Sequence, residues 1–158
     1  MKIIEREEIL RQLTPAWYIG LMRDCLSQLE EGRAVQYLRA VTPLPSGDIM
    51  GYMPAAVSGA FGAKVITVFH HNSEKGLPSH QGSVLLFDGE TGTLQAMLDG
   101  GAITEIRTGA ASAVATDLLA RPDAEVLALI GSGAQARSHL LAIREIRKLR
   151  EVRVWSPS

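Results

Sequence analysis

Apolar residues recur at helical spacing early in the chain, where Tyr18, Leu21, Cys25 and Leu29 follow one another every three or four positions. Thr14-Pro15 precedes them, a hydroxyl for the N-cap and a proline for the first helical position. Glu30-Glu31-Gly32 closes the run with a glycine able to take a left-handed cap. The pattern predicts a helix that begins at Thr14-Pro15 and packs Cys25 in its apolar stripe. Shorter runs then predict strands over Val35–Val41, Ile49–Met53, Ala63–Phe69, Gly82–Asp88 and Thr93–Asp99. Asp88-Gly89-Glu90-Thr91-Gly92 reads as a hairpin turn, and a meander of this kind makes a mostly antiparallel sheet. His71 to His80 is polar, contains Gly76 and Pro78, and reads as a loop.

A second helix is expected from about Thr104 to Ala120. It is crowded with small residues (Gly109, Ala110, Ala111, Ser112, Ala113, Ala115) that let it lie close to another backbone or a ligand. Arg121-Pro122-Asp123 breaks it. The pattern then changes. Val126–Ile130 is a continuous apolar run, the mark of a strand buried on both faces. Gly131-Ser-Gly-Ala-Gln-Ala136 follows, then a helix to about Leu149 with Ala136, Leu140, Ile143 and Ile146 on one stripe, then a strand over Val152–Trp155. The expected fold class is α/β: an α+β domain over 1–123, and over 124–158 the first βαβ unit of a dinucleotide-binding domain. One βαβ crossover cannot enclose a dinucleotide, so the chain reads as the N-terminal portion of a longer protein.

Composition narrows the class. With 158 residues, 46% hydrophobic, 21% charged and a net charge of −1, the chain has the make-up of an ordinary globular protein. It has no bulk charge with which to hold nucleic acid or an anionic membrane. No apolar run reaches the ~20 residues of a membrane helix, and Met1 to Leu10 lacks the apolar core of a signal peptide. Cys25 is the single cysteine, which excludes an intrachain disulfide. A cytoplasmic location is expected. His70 and His71 are adjacent and would point to opposite faces of a strand, so no metal site is expected.

The turn Gly131-x-Gly133-x-x-Ala136 has the form GxGxxA. In such a turn the first glycine makes the tight bend and the second lets a pyrophosphate approach the backbone. The alanine allows close helix–strand packing, and the helix N-terminus faces the phosphates. A lone GxGxxG is weak, but this one follows an apolar strand and opens an amphipathic helix. NAD or NADP is the expected cofactor, held by Gly131, Ser132, Gly133, Ala134, Gln135 and Ala136. The acid that binds the ribose of NAD belongs at the carboxyl end of the second strand. That end holds Ser156, Pro157 and Ser158, whereas Glu151 stands at the opposite end. A missing acid tilts the reading towards NADP, and Ser156 joins the expected cofactor contacts.

The run from Gly76 to Ser158 resembles the ornithine cyclodeaminase/mu-crystallin family. The residues that carry the resemblance are Leu77-Pro78-Ser79-His80-Gln81, Leu85-Leu86-Phe87-Asp88, Thr91-Gly92, Ala96-Met-Leu-Asp-Gly100, Ile103-Thr104, Arg107–Ala113 and the turn from Gly131 to Ala136. Upstream, Arg39, Met53-Pro54 and Lys64 fall where the family has them. The resemblance implies a dimerising substrate domain followed by a Rossmann domain. It also implies NAD(P)-dependent chemistry at the α-carbon of a small amino or imino acid, in a homodimer. It assigns the substrate carboxylate to Lys64, Arg39 and Arg107, with Lys64 as the catalytic residue and Thr108 against the cofactor. The family's catalytic aspartate lies beyond these residues. Gly51 stands two residues before Met53-Pro54, where ornithine cyclodeaminases carry a glutamate. That departure favours the mu-crystallin and imine reductase branch.

Taken alone, Lys64 is a strand lysine of a kind that mostly faces solvent. Arg107 could be a surface arginine, although its neighbours are small and apolar. Arg39, alternating with Tyr37 and Val41, could be half of a cross-strand ion pair, and His80 could be an ordinary loop histidine. Three functions are therefore expected in order. The first is an imine reductase or amino-acid dehydrogenase. The second is an ornithine cyclodeaminase with tightly held NAD and no net redox change. The third is a mu-crystallin-like protein that binds a small ligand without turnover.

Overall fold

The computed structural model describes residues 1–157. Ser158, the last residue of the expected glycine-turn unit, lies outside the described residues. Thr14 starts the first long helix as its hydroxyl predicts: Trp17 N donates to Thr14 Oγ1 at 3.4 Å, and helix α2 runs over Pro15–Glu30. Strand β1 (Lys2–Ile4) and helix α1 (Arg6–Gln12) precede it. Neither is visible in the hydrophobic pattern, because each is short and flanked by charge.

The sheet expected from the meander forms, with β4 (Ile49–Val57), β5 (Ala60–Val68), β6 (His80–Asp88) and β7 (Leu94–Asp99) antiparallel in sequence order. β1 adds parallel to β7, pairing Lys2–Ile4 with Ala96–Leu98. The strand expected over Val35–Val41 is two strands, β2 (Val35–Gln36) and β3 (Ala40–Pro43), both on β4. The chain leaves the ladder at Tyr37–Arg39, where Leu38 is 96% exposed. The cause is Pro54. It accepts from Tyr37 N through its carbonyl but has no N–H to return, so the ladder lapses opposite it. Arg39 therefore sits in an exposed excursion and not, as expected, within an alternating strand.

Two compact units divide these elements. The first is Met1–Arg11 with Leu26–Ile103, and the second is Gln12–Cys25 with the chain from Thr104 onward. Helix α3 covers Gly100–Leu119 and starts a turn earlier than Thr104, because Asp99 Oδ1 caps it by accepting from Ala102 N at 2.6 Å. The boundary expected at 123/124 marks where the chain enters the glycine-turn unit. The compact units group residues differently, with most of α3 and the first part of α2 packed in the second unit.

In that second unit β8 (Val126–Ile130) pairs in parallel with β9 (Glu151–Trp155), and α4 (Ala134–Ile146) connects them. This is the expected βαβ crossover. The small-residue stripe of α3 has a visible use, since a Cβ on Gly109 would lie 2.7 Å from Ser138 O, so glycine there lets α3 meet the α4 backbone. Helix α4 ends three residues before Leu149 because Arg147 turns to extended backbone. Its guanidinium is recruited to the last carbonyls of α3: Thr116 O and Ala120 O at 3.2 Å, Asp117 O and Arg121 O at 3.3 Å.

Candidate functional site

The glycine turn is built as its sequence requires, and its two glycines have different reasons. Gly131 has φ +112, a conformation that side chains rarely adopt, so its role is conformational. Gly133 caps α4 with φ −77 and ψ −171, ordinary extended backbone, and a Cβ there would meet no atom of the chain within 4 Å. Nothing among the described residues requires glycine at 133, and its smallness leaves room for a group that approaches from outside. Gly133 also offers no side chain to cap the first amides of α4, which leaves them for an anion. Those observations fit a dinucleotide pyrophosphate on Gly131, Ser132, Gly133, Ala134, Gln135 and Ala136.

Around the turn is a hollow of about 280 Å³ lined by Leu129, Ile130, Gln135, Ala136 and His139 beside the glycines. His139 is a residue that sequence reasoning did not single out; its only signal is its place one turn after Gln135. Its Nδ1 lies 2.6 Å from Gln135 O. A carbonyl can only accept, so Nδ1 carries the proton in this bond. On the β9 side, Gly131 N donates to Trp155 O at 2.7 Å and Ser132 Oγ donates to Ser156 Oγ at 3.2 Å. The structure thus brings Ser156 to the turn. Thr108, on α3, spends its proton locally, donating to Thr104 O at 2.6 Å.

The first unit contains a second hollow, of about 290 Å³, over one face of β4, β5 and β6. Lys64 lies on β5 between Met53 and Val84 in the ladder, half-buried, and is the one ionisable side chain among the lining residues. Ala55, Gly62 and Leu86 complete the same face. A single cation set in an apolar hollow can hold a carboxylate attached to a small apolar body. Two residues from Met53, Gly51 is buried, and a Cβ there would lie 3.0 Å from Ile66 Cγ1. A side chain at 51 would have to press the Ile66 side chain aside by a few tenths of an ångström. Arg107, on α3 in the second unit, and Arg39 are both exposed and have no ion pair among the described residues. The small neighbours of Arg107 do not bury it. Among the described residues, no three His, Cys, Asp or Glu side chains gather as a metal site.

Comparison with known proteins gives the family and the fold. Residues 2–158 match the ornithine cyclodeaminase/mu-crystallin family, and the chain belongs to it. It is similar to the ketimine reductase mu-crystallin of Mus musculus, 42% identical over 129 residues, 80% of this chain and 41% of that protein. A Δ1-pyrroline-2-carboxylate reductase from Thermococcus litoralis, solved with NADH and L-proline, superposes with a TM-score of 0.94 at 34% identity, over 100% of this chain and 50% of that one. An archaeal alanine dehydrogenase dimer with bound NAD gives a TM-score of 0.94 at 28% identity, covering 99% of this chain and 48% of that one. The chain thus spans about half the length of the relatives it matches.

Proposed function

We propose that this protein is an NAD(P)-dependent oxidoreductase acting at the α-carbon of a small amino or imino acid, of the imine reductase or amino-acid dehydrogenase type. The observation that carries the reading is Lys64, the one ionisable side chain on an apolar hollow. When bound at the glycine turn, the nicotinamide cofactor supplies or accepts the hydride. Lys64 holds the substrate carboxylate, and that handle fixes the angle at which the α-carbon is presented. The apolar walls of Met53, Val84 and Leu86 take the side chain or ring and exclude water. The reductase named among the relatives, and the L-proline bound to it, support a cyclic imino acid as substrate.

Ile66 beside Gly51 favours reduction above cyclodeamination, since a side chain at 51 would have to press it aside. The two reactions separate cleanly. A reductase oxidises one NAD(P)H for each Δ1-pyrroline-2-carboxylate consumed, and a cyclodeaminase releases ammonia from ornithine with no net change in the cofactor. A ligand-binding protein without turnover would do neither.

The protein also works as a cytoplasmic homodimer in this reading. Ile3, Val35, Met50, Tyr52 and Phe61 share one face of the sheet by register and are 40–54% exposed. Phe61 stacks on Phe87 across β5 and β6, with ring centroids 5.2 Å apart. An apolar face of that kind supports burial against a second copy.

A further inference from the structure

The hollow over Lys64 runs along the sheet in rungs that the register fixes. Lys64 stands between Met53 and Val84, Gly62 between Ala55 and Leu86 on the next rung, and Ala60 opposite Val57 on the one after. All of these line the hollow. Residues two apart on a strand share a face, so from Lys64 to Ala60 the hollow is a trough about 13 Å long along β5. Its floor is low in the middle. A Cβ at Gly62 would lie 2.4 Å from Leu85 O, so the backbone itself demands glycine there, and Ala55 beside it adds a single carbon. A closed apolar cavity of about 150 Å³ takes one benzene, and this hollow measures about 290 Å³, roughly twice as much. The cation stands at one end only. Asp88 shares the rung of Ala60, but its Oδ1 accepts from Glu90 N and from Thr91 N and Oγ1, and its Oδ2 from Gln95 Nε2. Those bonds keep it in the hairpin turn, and it is not among the lining residues.

We propose that this trough selects the substrate: an α-imino acid whose carboxylate sits on Lys64 and whose unbranched apolar body runs on past the length of a five-membered ring to an uncharged end. The proposal rests on the reading of Lys64 as the carboxylate handle given above. A body laid over Gly62 lies between Ala55 and Leu86 and leaves water, and that transfer is what draws it in. A second charge at the far end would be set down on Val57 and Ala60 without a partner, so ω-amino and ω-carboxy acids are turned away. Ala55 is the specificity-determining residue, because a longer side chain there would fill the trough one rung beyond Lys64.

The test is a calorimetric titration of the full-length protein with butanoate, hexanoate, octanoate and 6-aminohexanoate, beside turnover of Δ1-pyrroline-2-carboxylate. Affinity should rise about two- to threefold with each methylene, the gain from carbon that is partly buried, so octanoate should bind roughly 15- to 80-fold tighter than butanoate. 6-Aminohexanoate should bind about tenfold or more weaker than hexanoate. Lys64→Ala should lose the whole series. Ala55→Leu, at an exposed position of β4, should melt like the parent, keep butanoate and bring octanoate down to its level. An affinity that ignores chain length, 6-aminohexanoate bound as well as hexanoate, or octanoate still bound after Lys64→Ala overturns the proposal. If Δ1-pyrroline-2-carboxylate is reduced in that case, the oxidoreductase reading stands without the trough. If no carboxylate binds and no imine is reduced, both fall.

Discussion

Arg147 and Asp117 lie thirty residues apart in sequence and form one joint: Arg147 Nη1 donates to Asp117 Oδ1 at 2.9 Å, and Arg23 Nη2 takes the other oxygen at 2.7 Å. The Arg147 side chain is only 7% exposed. It ties the end of α4 to the open carbonyls of α3 while Asp117 adds α2, which fixes the helices behind the glycine turn. Arg147→Ala leaves the part-buried carbonyls of Thr116 and Ala120 without this donor and should cost about 1–3 kcal/mol of stability. Arg147→Lys should recover little, since one ammonium cannot reach the carbonyls that a planar fork spans. Denaturant unfolding of the two variants beside the parent checks this; a loss under about 0.5 kcal/mol contradicts it.

The same aspartate carries a pH dependence. Hydrogen bonds from Arg147 and then Arg23 hold the Asp117 carboxyl below the usual range, and bonds from Thr91 do the same for Asp88 in the hairpin turn. For a lowered carboxyl the folded state binds fewer protons than the unfolded state between the two values, so stability rises with pH there. The contribution is complete above the unfolded value, about 4, and fades as pH falls through the folded one. Thermal melting followed down the acid limb should show a shallower slope for Asp88→Ala and for Asp117→Ala than for the parent. Parallel slopes would contradict the assignment.

At the turn, Gly133→Val should fold like the parent, because its new Cβ meets nothing within 4 Å and valine accepts the extended backbone. It should nevertheless lose dinucleotide binding, since the added methyls occupy the ground that a pyrophosphate must approach. Calorimetry with unchanged melting temperature is the check. Cofactor bound as tightly as by the parent would make the turn merely structural.

For the carboxylate handle, Lys64→Ala should lose one charge-assisted contact. That costs on the order of 2–4 kcal/mol in transition-state binding, roughly 30- to 1,000-fold in kcat/KM. Cofactor affinity should stay as in the parent. Arg39→Ala should lose less, since its residue lies in the exposed excursion opposite Pro54. Steady-state kinetics on an imino acid decides, and an unaffected Lys64→Ala removes that residue from the site.

On assembly, sedimentation at micromolar concentration should give a dimer. Phe61→Glu, which puts charge into the exposed apolar face, should shift it towards monomer. A parent protein that sediments as a monomer contradicts the proposed interface.

What could be read from sequence follows from how local each cause is. β8 is legible to the residue because five consecutive apolar residues end at a glycine whose φ no other residue takes easily. The start of α2 is legible because its cap is three residues from the amide it serves. The split between β2 and β3 is not, since it depends on Pro54 lying across the ladder from Tyr37, a partner that only the register reveals. The early end of α4 is hidden for the same reason: Arg147 leaves the helix to serve carbonyls about thirty residues upstream. At the site, glycine spacing announces Gly131 and Gly133, and Ser156 follows from the strand end. The exposure of Arg107 does not, because small neighbours on a helix do not show which side faces solvent. Nor does the closeness of Ile66 to Gly51, which is set by cross-strand pairing.

The central claim, hydride transfer to the α-carbon of an imino acid with net oxidation of the cofactor, is tested most directly by isotope. NAD(P)H carrying deuterium at the transferred position of C4 is mixed with the full-length protein and Δ1-pyrroline-2-carboxylate, and the product is read by mass and NMR. The account predicts one deuterium at the α-carbon of proline and one dinucleotide oxidised for each proline formed. Unlabelled product, or ammonia released from ornithine while the cofactor stays unchanged, would contradict it.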